Sequence, residues 1–430
     1  MIPRQNPLRW IARKKFERLI AETIKEGTLV IDDPDGQRYR AGNSSGKMVH
    51  IRIENWNAVL KLVLHPDLAL GEAYMSGDLT MVEGEIYDLL DLVFRNLGAE
   101  EAPGPSRFTR ALFRFVLRFV DYNSPEKSKD NVAHHYDLDG RLYDLFLDAD
   151  KQYSCGYFET PESSLEDSQL AKKRHLAAKL ALHANLKVLD IGSGWGGLSL
   201  YLARHFDADV QGVTLSEEQL AISRERAAQE NLHEKVKFDL MDYRSLKTRF
   251  DRIISVGMFE HVGRKSYSEF FSVIHNLLND DGVAVLHYIG RTTPPSETNA
   301  WILKYIFPGG YMPSLSQVLP AIERQGLVVT DVEVLRLHYA ETLAAWRKRF
   351  LANKERAAAL YDEQFVRMWE FYLAASETGF RYQGLVIHQI QMARDQSALP
   401  LVRDYITEVE EKLKERDLGH TTADALDAAE

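Results

Sequence analysis

Residues 188–197 read VLDIGSGWGG, and the helix-like run LSLYLARHF follows directly. An apolar strand runs into Gly192, Gly194, Gly196 and Gly197, and a helix begins at once. Glycines at such a turn let the chain reverse tightly and let a ligand approach the first turn of the helix. From residue 186 onward the same alternation continues. KVLDIG, ADVQGVTL, KVKFDLMD, DRIISVGMF, DGVAVLHYIG and LVVTDVEVLRL are strand candidates, and helical patterns stand between several of them. Short apolar strands alternating with helices predict a doubly wound, mostly parallel sheet. Residues 340–416, rich in Ala, Leu, Arg and aromatics, read as helices.

Gly192, Gly194 and Gly197 also satisfy GxGxxG, so this motif does not separate a nicotinamide cofactor from S-adenosylmethionine. The second strand helps to decide. A dinucleotide site usually carries an acid about twenty residues on, to bind the ribose. Here the strand end offers Thr214, Ser216 and then Gln219, and the acid is missing. That disfavours a nicotinamide oxidoreductase.

The N-terminal hundred residues have a different pattern. Residues 27–41, GTLVIDDPDGQRYRA, alternate around a DPDG turn and predict a hairpin; VHIRIENWNAVLKLVL at 49–64 predicts a strand and then a helix. A Pro- and Gly-rich break at 98–106 ends this block. After it, Arg107, Arg110, Arg114 and Arg118 fall on one stripe of a helix whose remaining surface holds Phe108, Leu112, Phe115, Val116 and Phe119. Residues 1–20 are also basic, with six Lys or Arg side chains against Glu17. Basic stripes beside apolar faces are the pattern of helices at an anionic membrane interface; the alternative for 107–119 is a domain-connecting helix that packs its Phe residues internally. The expected organisation is an α+β domain over 1–103, a basic amphipathic linker helix over 104–125, the main domain over 126–416 and a flexible tail over 417–430.

Taken together, VLDIGSGWGGLSLYLA, VQGVTLSEEQL and SVGMFEHVGRKSY resemble the cyclopropane fatty acid synthase family, with its mycolic acid relatives. HHYDL at 134–138, QYSCGYF at 152–158, VLHYIG at 285–290, KYIFPGGYMPS at 304–314 and HYAETLAAW at 338–346 extend the likeness in consistent order. The resemblance implies a Rossmann-like class I methyltransferase domain with a mixed seven-stranded sheet. The GEAYMSGDL stretch of the N-terminal domain resembles, more loosely, a sterol-carrier-type lipid-binding fold.

The resemblance also implies roles. S-adenosylmethionine is the cofactor. Gly192, Gly194 and Gly196 cradle its methionine part, with Tyr153 and Ser154 at the carboxylate end. Thr214 and Gln219 lie near the ribose, and Asp242 and Tyr243 flank the adenine. A bound bicarbonate is the second cofactor, held by Cys155, Glu260, His287, Tyr339 and the backbone of Ile289. An isolated alkene attacks only a strongly activated methyl, and the attack leaves a carbocation that aromatic faces tolerate. Tyr136, Tyr157 and Phe158 are candidates for that lining. The implied activity is transfer of a methylene group to the cis double bond of a phospholipid acyl chain. A related methyltransferase that makes a branched chain is the alternative, and a lipid carrier with a degenerate methyltransferase domain is the non-enzymatic rival.

Composition bounds the partners. Lys plus Arg total 53 and Asp plus Glu 63, a net charge of −10, which disfavours a general nucleic-acid binder. One cysteine cannot make an intramolecular disulfide. No His/Cys spacing or HExxH element suggests a metal, and no GxSxG element a hydrolase. No window of eighteen consecutive apolar residues occurs. The expectation is a cytoplasmic enzyme, peripherally associated with the inner membrane surface, whose partner is unsaturated phospholipid; the resemblance also allows a homodimer.

Overall fold

The computed structural model describes residues 7–99 and 139–427. The amphipathic stretch 107–118 and Tyr136 therefore lie outside the described residues. The chain forms two compact units. Among the described residues, one comprises 7–99, 296–308 and 343–385; the other comprises 139–295, 309–342 and 386–427. Segments 296–308 and 343–385, which the sequence reading placed within a continuous domain over 126–416, thus pack with the N-terminal residues.

In the first unit, β1 (Thr28–Asp32), β2 (Arg38–Ala41), β3 (Met48–Ile53) and β4 (Leu79–Glu83) form a sheet of order β2-β1-β3-β4. The DPDG turn makes the expected hairpin, with β1 antiparallel to β2, whereas β1 and β3 run parallel. Asn55 caps the helix Trp56–Leu64 by accepting from the Ala58 amide. That satisfies one of the free N–H groups of the first turn. The helix Pro66–Ser76 meets the helix Ala300–Tyr305 at Gly71, where a Cβ would stand 2.4 Å from Trp301 Nε1 and 2.5 Å from its Cδ1. Trp301 is 1% exposed and cannot swing away. Gly71→Ala is therefore expected to cost about 1–3 kcal/mol by overpacking. Urea denaturation would check this, and an unchanged midpoint would refute it.

The second unit holds β5 (Lys187–Ile191), β6 (Asp209–Thr214), β7 (Val236–Leu240), β8 (Phe250–Val256), β9 (Leu278–Arg291), β10 (Val328–Leu335) and β11 (Leu385–Ala393). They form one seven-stranded sheet of order β10-β11-β9-β8-β5-β6-β7. β9, β8, β5, β6 and β7 pair in parallel, and β10 pairs with β11 antiparallel, so the sheet is mixed. Successive side chains of a strand point to opposite faces. Leu189, Ile253 and Leu286 accordingly enter one apolar core, and Val188, Ile254 and Val285 enter the other. Helices must cover both faces of such a sheet.

All six strand candidates form. The helical reading of 340–416 is corrected at β11, a strand inserted between β10 and β9. Its sequence, LVIHQIQMA, is neither evenly alternating nor uniformly apolar, because three buried polar residues occupy it. Each finds a partner on a neighbouring element: His388 with the Tyr288 hydroxyl at 3.1 Å, Gln389 with His287 at 3.2 Å, and Gln391 with the Thr330 and Tyr405 hydroxyls at 2.8 and 2.6 Å. The expected tail is corrected too. The helix Tyr405–Asp427 continues through its proposed start, and Asp417 is buried against Arg174 and Tyr201.

Candidate active site

A cavity opens at the carboxyl ends of β5, β6 and β8, the place where open α/β sheets bind ligands. The glycine turn after β5 forms its floor. The Gly192 and Ser193 amides both donate to the Val213 carbonyl, at 2.9 and 3.1 Å, and fold the turn against β6. Gly194 has φ +54°, and a Cβ there would meet nothing within 4 Å, so its bare backbone faces open space. The buried Ser193 hydroxyl has no partner among the described residues. Tyr153, Ser154, Gly192, Gly194, Thr214, Gln219, Asp242 and Tyr243 all line this cavity, although they come from four separate stretches of chain. Gly196 does not. It begins the helix Gly197–Phe206 with φ +85°, and a Cβ there would stand 2.7 Å from Phe238, so it serves internal packing.

Hydrogen bonds set which atoms face the cavity. The Thr214 hydroxyl donates to Gln219 Oε1 at 3.0 Å, which leaves the Gln219 amide NH₂ to donate elsewhere. Ser216 caps the helix Glu217–Gln229 through the Gln219 amide at 3.3 Å and so fixes that side chain's origin. Asp242 accepts from Arg244 Nε at 2.9 Å and Nη2 at 2.6 Å. Asp190 also lines the cavity and accepts from Ser199 Oγ at 2.7 Å; burial pushes its carboxyl up to about 6. Sequence reasoning missed Asp190, Ser193 and Arg244. A GxGxxG reading assigns roles to glycines and leaves the side chains between them unassigned.

The segment carrying Tyr153 and Ser154 is held by the helix Leu165–Lys179. Gln169 Nε2 donates to the Ser154 and Gln152 carbonyls at 2.9 and 3.3 Å, and Lys173 pairs with Asp150 at 2.5 Å. Lys172, fully buried, donates to Gln152 Oε1 at 2.5 Å and to Ser154 Oγ at 2.8 Å. On its other side, the Gly156 amide donates to Thr342 Oγ1 at 3.0 Å and the Phe158 amide to His338 Nδ1 at 3.0 Å. These contacts set the first turn of the helix His338–Ala352, which carries buried Tyr339, against the residues that follow Cys155.

The remaining predicted residues are not among those that line the cavity. Glu260, in the turn after β8, is buried. Its Oε1 accepts from the Ile289 amide at 2.5 Å, and Oε2 has no partner among the described residues. Burial pushes this carboxyl up to about 7. His287 lies two residues before Ile289 on β9. The Gln389 amide nitrogen faces its Nδ1 at 3.2 Å, whereas Nε2 has no partner among the described residues. Burial, reinforced by the charges of Lys172 and Lys179, holds the imidazole neutral. Cys155 is buried, its thiol donates to the Gly156 carbonyl at 3.2 Å, and burial raises its pKa. It is a protonated polar group and not a nucleophile. Tyr157 is corrected as a cation-facing aromatic. His175 stacks on its ring at 4.2 Å and His338 lies near-parallel at 5.1 Å, so imidazoles occupy the ring's surroundings.

A mixed seven-stranded sheet, a glycine turn after β5 and a cavity at the strand ends together define an α/β methyltransferase domain. Comparison with known proteins narrows this. The profile of the mycolic acid cyclopropane synthetase family matches residues 123–390, and that of a domain of unknown function matches 18–100. The chain belongs to the mycolic acid cyclopropane synthetase family. It is 36% identical over 373 residues to cyclopropane-fatty-acyl-phospholipid synthase of Escherichia coli K12, covering 84% of this chain and 94% of the relative. It is likewise 36% identical over 372 residues to a probable fatty acid methyltransferase of Pseudomonas putida, covering 83% and 89%. The crystal structure of mycolic acid cyclopropane synthase CmaA1 complexed with SAH and CTAB matches with a TM-score of 0.59 at 33% identity, over 62% of this chain and 98% of that one.

Proposed function

We propose that the protein transfers a methylene group from S-adenosylmethionine to the cis double bond of an unsaturated phospholipid acyl chain and closes a cyclopropane ring. The observation that carries this reading is the pair of buried, half-satisfied proton carriers beside the cavity. Among the described residues, one carboxylate oxygen of Glu260 and Nε2 of His287 have no partner. Methyl transfer to an amine or hydroxyl releases a proton from nitrogen or oxygen that solvent can take, whereas ring closure must remove a proton from a carbon-bound methyl inside a dry site.

The cavity's groups fit the cofactor. The open backbone of Gly194, the Ser193 hydroxyl, which has no partner among the described residues, and the Gln219 amide suit a nucleoside with an amino-acid tail. Tyr153, Ser154, Gly192 and Gly194 would hold the tail, Thr214 and Gln219 the ribose, and Asp242 and Tyr243 the adenine. When bound, the sulfonium supplies an activated methyl. Glu260 Oε2 and His287 Nε2 fit a small anion such as bicarbonate, whose chemistry would be that of a base. Cys155 and Tyr339 would be the further polar members of that site. Ile289 contributes through Glu260, because its N–H is already committed there. Glu260, at about 7, is poised to take and release a proton near neutral pH.

The membrane supplies the substrate. Trp10 and Ile11 on the helix Pro7–Thr23 and Leu60 and Leu64 on the helix Trp56–Leu64 are exposed, on two helices that pack together. Arg9, Lys15, Arg18 and Lys61 on those helices are suited to anionic headgroups. The first unit, read as a lipid-binding module, would help draw an acyl chain from the leaflet. No helix among the described residues is long and apolar enough to cross a membrane.

Product analysis tests the function. Purified protein is incubated with S-adenosylmethionine and vesicles of a cis-monounsaturated phospholipid containing an anionic component, and released fatty acids are analysed by mass spectrometry and proton NMR. A gain of one CH₂ with upfield cyclopropyl protons is expected. The same gain with vinylidene protons would replace ring closure by branching, and no gain would overturn the acceptor.

A further inference from the structure

We propose that Lys172 is a positioning residue for the cofactor: it turns the Ser154 hydroxyl proton into the cavity and supplies the buried positive charge that the carboxylate end of S-adenosylmethionine faces. This rests on the reading that Ser154 meets that end of the cofactor.

The geometry is direct. Lys172 is wholly buried on the helix Leu165–Lys179, below the segment 152–155. An ammonium has three protons and no lone pair, so it can only donate. Ser154 Oγ, at 2.8 Å, must therefore accept from it. A serine hydroxyl that accepts from a fixed cation turns its own proton away from that cation. Ser154 and Gln152, the two acceptors of Lys172, both line the cavity. The hydroxyl thus presents a donor there, the polarity that a carboxylate oxygen requires. Replacing the lysine would leave the serine rotor free and the site without this preference.

Electrostatics point the same way. Among the described residues no carboxylate lies within ion-pair distance of Lys172; its two hydrogen bonds go to neutral oxygens. The groups that face it are Asp148, Asp150 and Cys155 on the neighbouring loop, Lys173 on its own helix, Asp190 on β5 and His287 on β9. Asp150 is already shared between Lys173 and Arg226, and burial raises the pKa values of Asp148, Asp190 and Cys155. Burial pushes the Lys172 ammonium down to about 8. An incoming carboxylate would compensate this charge, so binding favours protonated Lys172 and weakens as pH rises through that value.

The test compares two ligands by titration calorimetry on the full chain. S-adenosylhomocysteine carries the carboxylate; 5′-methylthioadenosine lacks the amino-acid end. At pH 7, Lys172→Met is expected to weaken S-adenosylhomocysteine about tenfold and to leave methylthioadenosine within about twofold. Between pH 7 and 9 the wild-type preference for S-adenosylhomocysteine falls more steeply than that of K172M; the ligand's own amino group contributes equally to both. Equal weakening of both ligands would reduce Lys172 to a structural role, and unchanged S-adenosylhomocysteine binding would overturn the proposal. If K172M does not fold, Lys172→Gln replaces it, and a pH-independent wild-type preference refutes the proposal without any variant. Ser154→Ala separates the two layers. If S154A leaves S-adenosylhomocysteine affinity intact, the reading of Ser154 fails; if S154A weakens it and K172M does not, only the lysine's role fails.

Discussion

Glu260→Gln is expected to lower turnover on unsaturated phospholipid vesicles by about 10²–10⁴-fold, the usual span for loss of a proton-transfer group. S-adenosylhomocysteine affinity should stay within about twofold, because Glu260 is not among the residues that line the cavity. Equal loss of both would remove the assigned role. The same substitution should act on stability in the opposite direction. Burial raises the Glu260 carboxyl from 4.5 to about 7 in the folded chain. The proton it retains stabilises the folded state fully below the unfolded value, and this contribution is lost as pH rises through about 7. Gln resembles the protonated acid and never ionises. E260Q should therefore gain on the wild type by about 2–3 kcal/mol between pH 5 and pH 8. Urea titrations at both pH values measure the difference, and parallel stability profiles would show that burial does not hold the proton. A less active enzyme with better stability in mild alkali is the signature of a group kept in an unfavourable state for its chemistry.

Arg174→Met is expected to destabilise the second unit by about 3–5 kcal/mol, the usual cost of removing one partner from a buried ion pair. Arg174 donates to Asp417 Oδ2 at 2.8 Å, and both side chains are 6% exposed. A second guanidinium nitrogen reaches Glu159 at 2.9 Å. Without the arginine, Asp417 loses this 2.8 Å ion pair, and the Tyr201 hydroxyl at 3.3 Å and His205 at 3.4 Å are longer contacts. The pair fastens the helix Tyr405–Asp427 to the helix Leu165–Lys179, which also holds the Tyr153–Ser154 segment. Asp417→Leu combined with Arg174→Met should recover much of the loss, because exchanging a whole buried pair for apolar side chains is often neutral. Chemical denaturation of the two variants decides this; a double variant no better than the single one would place the cost in packing.

The strands β5 to β10 were legible because each carries an apolar run or an apolar–polar alternation, as in VKFDL of β7 and VVTDVEVL of β10, and that property is local. The glycine turn was legible for the same reason: at Gly194 the backbone itself must take a positive φ, and the residue type declares it. The absence of an acid after β6 spoke against a nicotinamide cofactor, and the resemblance gave Gln219 its place near the ribose; Gln219 lines the cavity. β11 was not legible. His388, Gln389 and Gln391 are acceptable in a central strand only because Tyr288, His287, Thr330 and Tyr405 arrive to bond them. Gly196 reads like its neighbours in sequence, yet it faces Phe238 and not the cavity. Tyr157 reads as an open aromatic face, yet two histidines distant in the chain flank it. The role of Lys172 depends on a side chain eighteen residues away. The sequence alone determined the strand–turn–helix frame, the family and the types of group available, because backbone preferences and hydrophobic period act over a few residues. Tertiary structure decided which face each residue presents and which polar atoms remain unpaired, because partners distant in the chain settle burial and hydrogen bonding.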